Sequence, residues 1–364
     1  MRWIFVIILA LHGTIHLLGF IKAFSLANPS GLSQKVSKPF GIIWLTAFLL
    51  FSTTLFLFMN YKEHWWLIGL VSVILSQFLI FIFWRDAGYG TIPNLLILVI
   101  CLLSYSDFSF RQKLKNEVSQ MRALSSTPNG EKITEQMIQD LPGVIQRWLK
   151  NSGIIGQPLP NKVYLEQEAQ LLMKPEHQNW IPAKAQQFYT IDPPAFNWSV
   201  QLKMFSTLPI CGRDKFEQGI GEMSIKLLSL IPIAQVSNSK KVNQASLQRF
   251  LSEMVWFPSA ALQPYIVWET IDQNSAKASM SFNGTEGSGI FHFDKEGNFK
   301  KFTCLRFKEK DDETPTEWTV VATQTGIING IKIPTSCNVS WKLSNGNWTW
   351  IKIKINNLAY DEFP

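Results

Sequence analysis

The sequence is poor in the residues that usually carry chemistry. Its 364 residues include four cysteines and five histidines, and only 17% are charged. An average globular domain is about a quarter charged. Cys101, Cys211, Cys304 and Cys337 are scattered rather than paired at zinc-ligand spacing. No phosphate loop, nucleophile elbow or metalloprotease helix motif occurs. The composition excludes a disordered chain, a disulfide scaffold and a collagen-like repeat. The net charge of +7 comes with no basic patch, so no nucleic-acid partner is expected.

The shortage of charge is local. Residues 1–106 hold 66 apolar side chains and only eight charged ones. A membrane span needs about 20 mostly apolar residues. Trp3–Ile21, Phe40–Met59 and Trp65–Trp84 fit, and Ile92–Tyr105 is a shorter fourth. Trp65, Trp66 and Trp84 sit where interfacial aromatics belong. A cleaved signal peptide is not expected at the first stretch, which has one positive charge, two interior histidines and no small-x-small cleavage site. Four spans put Arg2, Lys62, Arg111, Lys113 and Lys115 on one side and Lys22, Lys35, Lys38 and Arg85 on the other. The Lys22–Lys38 loop has three lysines and no acid. That leans it towards the cytoplasm and the C-terminal part outward.

Polar residues inside these spans need an account. His12 and His16 share one helix face, which Gly19 continues, and Ser72, Ser76 and Gln77 cluster on the third span. Span order brings Lys22, Asp86 and Asn94 to one level, with His16 deeper. His12, His16, Lys22, Asp86 and Asn94 are therefore a candidate membrane cluster handling an ion, a haem or protons. The plainer reading is hydrogen bonding between helices, with Lys22 and Asp86 paired or solvated at the interface. Two histidines are too few for a tetrahedral metal, and no metal or other cofactor is expected.

Beyond residue 106 the pattern changes. Ser109–Gln120 reads as a juxtamembrane helix or stalk, and Ser125–Gly130 as a loop. Helical spacing runs from Ile133 to Leu149, interrupted at Pro142 and ended at Ser152-Gly153. From Val163 the period becomes two. Phe196, Trp198, Val200, Leu202 and Met204 alternate with polar residues, as do Ala276, Ala278, Met280 and Phe282. In the last strand Thr349, Ile351, Ile353 and Ile355 are expected on one face, with Trp348, Trp350, Lys352 and Lys354 on the other. Asn283-Gly284, Glu296-Gly297, Asn329-Gly330 and Asn345-Gly346 mark hairpin turns. A bulge is expected at Gly219 and Gly221. One helix, Leu247–Val255 capped by Ser246, interrupts the strands. The expected fold is an α+β membrane protein: a four-helix transmembrane bundle, then a mainly antiparallel β half-barrel-like domain with one covering helix. Its boundaries are 1–106 for the bundle, 107–155 for a helical linker and 156–364 for the β-rich domain.

Several segments resemble a bacterial membrane-protein family of unknown function. They are HGTIHLLGFIKAF (His12–Phe24) and WRDAGYGTIPN (Trp84–Asn94), then RWLKNSG (Arg147–Gly153) and FYTIDPPAFNW (Phe188–Trp198). GRDKFEQGIGEM (Gly212–Met223), LSEMVWFPSAAL (Leu251–Leu262), SGIFHFDKEG (Ser288–Gly297) and GIKIPT (Gly330–Thr335) follow. Cys211 before GRD departs from the pattern, where the resemblance implies another residue. The resemblance implies no activity. The order of strands and helix is also similar to the half-barrel of periplasmic lipoprotein carriers, an analogy of topology alone.

Arg213, Asp214 and Glu253 are the candidate polar group of the β-rich domain: a headgroup anchor, or a salt bridge locking helix to sheet. Phe196, Trp198, Trp256 and Phe257 line a cavity if the sheet stays open, and are core otherwise. Cys304 and Cys337 are a candidate disulfide if the domain faces outward. His292 reads as a strand residue, and no catalytic residue stands out. The expected function is binding of a lipid or other apolar small molecule by a multi-pass protein of the cell membrane, with the bilayer as its partner. The alternatives are a redox, ion- or proton-handling bundle built on His12 and His16, and a structural protein with a filled core.

Overall fold

The structure is a computed structural model that describes residues 2–126, 130–205, 208–309 and 311–361. Residues 127–129 of the expected loop thus lie outside the described residues. The chain divides into two compact units, Met1–Gln112 and Lys113–Pro364.

The first unit is helical. Its elements are α1 (Arg2–Ile15), α2 (Leu17–Ala23), α3 (Lys38–Met59), α4 (Trp65–Ile82), the short α5 (Trp84–Ala87) and α6 (Thr91–Leu124). Four stretches are long and apolar enough to cross a membrane: Arg2–Ala23, Lys38–Met59, Trp65–Ile82 and Trp84–Leu124. The separate stalk helix expected after Tyr105 is instead the continuation of α6. No glycine or proline interrupts residues 105–124, and the i,i+4 pairs Asp107–Arg111 and Lys113–Glu117 support it. Leu9, Phe51, Ile97 and Cys101 are buried, while Trp3, Ile7, Leu11, Ile74 and Phe81 face outward. An apolar exterior of this kind suits lipid rather than water. Small residues set the helix crossings. A Cβ on Gly19 would lie 2.2 Å from the Trp44 ring, so only glycine lets α2 and α3 approach this closely.

The second unit contains α7 (Gly143–Ser152), α8 (Lys240–Glu253) and one large sheet. The strands are β1 (Lys162–Leu171), β2 (Ile181–Thr190), β3 (Ala195–Met204), β4 (Leu208–Glu217), β5 (Ile220–Leu227) and β6 (Ile231–Ser237). After α8 come β7 (Ile266–Asp272), β8 (Ser275–Phe282), β9 (Thr285–Phe293), β10 (Phe299–Arg306), β11 (Thr316–Ile328), β12 (Ile331–Leu343) and β13 (Gly346–Tyr360). Among the described residues the thirteen strands pair antiparallel in the order 6-5-4-3-2-1-13-12-11-10-9-8-7. The sheet is open, with β6 and β7 as its edges, and α8 is the connection between them. The fold is therefore α+β, a helical bundle followed by an open antiparallel sheet that a helix covers.

Local chemistry explains the details. The hairpin turns Asn283-Gly284 and Asn329-Gly330 have positive φ at both positions, as the tightest hairpins require. Gln218-Gly219 has the same conformation, so the bulge expected there is a β4–β5 turn with unbroken register on either side. Gly221 serves packing. A Cβ there would lie 2.5 Å from Ser246 Oγ and 2.6 Å from the Val242 carbonyl, so its absence seats α8 on β5. Ser246 is accordingly a mid-helix packing residue and not a cap, because α8 starts at Lys240 after Ser239. Leu247, Phe250 and Leu251 are fully buried against a core that includes Val163, Phe196, Phe216, Phe291, Phe302 and Ile333.

One irregularity re-aims a side chain. Val339 pairs with Ile351 and Ser340 with Thr349, leaving Trp350 as the extra residue of a β-bulge in β13. Trp350 was expected on the face of Lys352 and Lys354. The bulge shifts the phase, and Trp350 lines an interior crevice together with Ile351 and Ile353.

Candidate functional site

The face of the sheet that α8 covers carries a buried polar network centred on Arg249. One turn of α8 places Arg249 and Glu253 on the same face, with Arg249 Nε donating to Glu253 Oε1 at 2.8 Å. Arg249 Nη1 reaches Asp214 Oδ2 on β4 at 2.7 Å. Its guanidinium lies 4.6 Å above the Trp198 ring and 5.1 Å above that of Phe196, both on β3. Glu253 Oε2 accepts from Gln187 Nε2 at 2.8 Å and from the Tyr189 hydroxyl at 2.9 Å, both on β2. Trp198 Nε1 donates to Gln167 Oε1 on β1 at 2.9 Å. Both Glu253 oxygens are thus occupied, and α8 is tied directly to β2, β3 and β4 and through Trp198 to β1.

The electrostatics follow from this geometry. Burial alone would lower the Arg249 guanidinium, but the Glu253 and Asp214 carboxylates outweigh it and hold the group above its ordinary value. Burial, then the Glu253 charge, raises the Tyr189 phenol well above its ordinary range. Both groups keep their protons throughout the physiological range.

Arg213 does not join this network. Neighbouring strand residues face opposite ways, so Arg213 points away from Asp214. It binds Glu117 at 3.1 Å and Glu222 at 2.6 Å instead. The expected grouping of Arg213 with Asp214 and Glu253 is corrected on that ground. The helix-to-sheet lock exists, but Arg249 supplies its cation. The i,i+4 spacing of Arg249 and Glu253 is the signal that points to it.

Beside the lock lies a crevice of about 60 Å³ between the C-terminal half of α8 and strands β10 to β13. Ser252, Glu253, Val255 and Trp256 form its helical wall, and Val320, Val339, Ile351 and Ile353 its apolar floor. Arg306, Trp318 and Trp350 close the rest. Of the expected lining residues, Trp198, Asp214, Glu253 and Trp256 border the crevice. Phe257 packs instead on Tyr189 and Phe250, and Phe196 on Phe216 and Tyr189. Arg306 escapes a search for motifs, but period two places it on the inner face with Phe302 and Cys304. Cys337 borders the crevice as a free buried thiol, and Cys304 is a second. They lie on non-adjacent strands, and burial pushes each thiol up to about 12. A wider trough of about 860 Å³ between α8 and β7–β11 is open to solvent and encloses nothing.

The polar residues of the first unit make a second network. His16 Nδ1 donates to the His12 carbonyl at 2.8 Å, which leaves Nε2 to accept from the Ser76 hydroxyl at 2.9 Å. His12 Nε2 donates to Asn94 Oδ1 at 2.8 Å, and Asn94 Nδ2 donates to Ser76 Oγ at 3.0 Å and Gln77 Oε1 at 3.1 Å. α1, α4 and α6 are thereby joined by one set of mutually consistent bonds. Lys22 and Asp86 stand apart from it. Lys22 donates to the Leu32 carbonyl, and Asp86 accepts from the Ser33 hydroxyl and the Ser33 and Gln34 amides. No cluster of three or more histidine, cysteine or acidic residues able to hold a metal occurs among the described residues.

Two substitutions test these assignments. Arg249→Met strands two carboxylates and should cost about 3–5 kcal/mol, whereas Arg111→Met at an exposed pair should cost less than about 1 kcal/mol. Urea unfolding of the detergent-solubilised protein, followed by tryptophan fluorescence, measures both. In the bundle, a double-mutant cycle between His12→Ala and Asn94→Ala should give a coupling of about 0.6 kcal/mol and not more than about 1.7 kcal/mol. A coupling near zero would show that the bond does not join the helices.

Comparison with known proteins adds a family and no activity. No curated protein matches the sequence. The model of a family of unknown function, DUF6920, matches residues 139–360. That stretch contains every quoted segment from RWLKNSG to GIKIPT and excludes the two from the bundle. With more than half of its length matched, the chain belongs to the DUF6920 family, whose function is unknown.

Proposed function

We propose that the protein is a membrane-anchored binding module whose open sheet holds an amphiphilic ligand between α8 and β10–β13. The observation that carries this reading is the crevice itself: an apolar floor meeting polar walls inside a covered sheet. Its topology, similar to that of lipoprotein-carrier half-barrels, points the same way by analogy. The crevice is far smaller than the roughly 300–1,000 Å³ of pockets that bury drug-sized ligands. As it stands it takes a head group and a few carbons. A longer chain enters only as the crevice widens.

That small volume also favours a second reading, a structural membrane protein with a filled core. Native mass spectrometry of the full-length protein in mild detergent separates the two. A binding module carries a ligand of lipid-like mass, and Val339→Phe, which fills the crevice, should reduce its occupancy at least about tenfold at an overpacking cost of about 1–3 kcal/mol. Absence of any carried ligand, together with no uptake of a fluorescent fatty acid, leaves the filled-core reading.

The proposed location is a multi-pass protein of the cell membrane with the C-terminal unit outside the cytoplasm. Support comes from the Lys22–Lys38 loop, which carries three lysines and no acid. A C-terminal alkaline phosphatase fusion should be active in intact cells, and a C-terminal fluorescent protein that folds only in the cytoplasm should be dark. The reverse pattern would place the unit inside.

A further inference from the structure

The crevice has an unbalanced hydrogen-bond inventory. Four tryptophans border it, and two have their indole N–H satisfied. Trp198 Nε1 donates to Gln167, and Trp256 Nε1 donates to the Pro334 carbonyl at 3.0 Å. The other two do not. Trp318 Nε1 and Trp350 Nε1 are buried without an acceptor, and so is Arg306 Nε. Trp318 is only 4% exposed, so solvent does not satisfy it. A buried donor left unpaired costs about 1–3 kcal/mol, and more for a charged group. Three of the chain's unpaired buried donors border this one crevice.

The arrangement of the three groups is built in. Cys304 on β10 lies directly opposite Trp318 on β11, so Arg306 reaches Trp318 diagonally. Its guanidinium lies 4.7 Å above the Trp318 ring. The bulge in β13 brings Trp350 to the same crevice. All three groups are donors only, and none can satisfy another. What they lack is an acceptor.

Charge sets the kind of acceptor. Two carboxylates, Asp214 and Glu253, and two guanidiniums, Arg249 and Arg306, border the crevice. Both carboxylates converge on Arg249. Arg306 makes no ion pair among the described residues, and burial pushes its guanidinium down. A single negative charge placed against Arg306 relieves that desolvation, while a dianion would overload a site that is already neutral. Size narrows the choice further. A crevice of about 60 Å³ suits a small planar acceptor group such as a carboxylate.

We infer that the crevice binds the carboxylate of an amphiphilic acid, with Arg306, Trp318 and Trp350 as the donors that hold it. The inference rests on the binding-module reading and names its head group. The carboxylate oxygens accept from the guanidinium and the two indoles, and the first carbons of the chain lie on Val320, Val339, Ile351 and Ile353.

Equilibrium binding of decanoate and of methyl decanoate to the full-length protein in nanodiscs, corrected for empty discs, tests this. The acid should bind at least about tenfold tighter than the ester. Arg306→Gln should bring the two within about threefold by weakening the acid alone. Trp318→Phe, which keeps the ring and removes the donor, should weaken the acid severalfold and leave the ester unchanged. Equal binding of acid and ester to the unaltered protein overturns the head-group assignment while the binding reading stands. So does a loss of both ligands together in Arg306→Gln, which marks a structural role. If neither ligand binds the unaltered protein, the binding reading fails and takes this inference with it.

Discussion

Arg249 is the group on which the C-terminal unit depends. A thirteen-stranded sheet left open has an apolar face that needs a cover, and burial of Leu247, Phe250 and Leu251 supplies the driving force. That force has no direction. Arg249 supplies one, because its nitrogens meet Glu253 on its own helix and Asp214 on β4 while its plane lies over Trp198. Burying three charges is costly, and the cost is tolerable only because every arm is bonded and Glu253 is also capped by Gln187 and Tyr189. Position along the sheet is what the network fixes.

The lock is also asymmetric, and the asymmetry shapes the crevice. Charged bonds tie α8 to β2 and β4. On the other side the ties are neutral: Gln248 Nε2 donates to the Ser288 and Leu305 carbonyls of β9 and β10, and just beyond the helix Trp256 donates to the Pro334 carbonyl and accepts at its own carbonyl from the Tyr360 hydroxyl.

Much of this was legible in the sequence, and the limits are physical. The four apolar stretches, the switch to period two and the Asn-Gly turns announce a bundle followed by antiparallel hairpins, because each is a local signal. Glu253 and Asp214 were found for the same reason. Arg213 was misassigned to them because adjacent residues in a strand are neighbours in sequence and opposites in space. Arg249 was visible as an i,i+4 partner of Glu253, and Arg306 as an inward residue after Phe302 and Cys304. Trp350 was not visible. A bulge depends on the register of two strands, and no pattern within β13 alone reveals that its phase breaks at residue 350.

The polar cluster of the bundle and that of the C-terminal unit around Arg249 differ in a way that bears on function. In the bundle, each bond around His12, His16, Ser76 and Asn94 joins a donor to an acceptor, and the network closes on itself. Such bonding is what helix association in lipid requires. In the C-terminal unit the Arg249 lock is equally closed, yet directly beside it Arg306, Trp318 and Trp350 present three donors and no acceptor. The fold pairs the indoles of Trp198 and Trp256 and leaves those of Trp318 and Trp350 unpaired at the same crevice, as it does Trp44, Trp66 and Trp348 elsewhere. At the crevice, hydrophobic substitutes would have been cheaper to bury. Retaining an arginine and two indoles there carries a stability cost, and a bound acceptor is the simplest partner that offsets it.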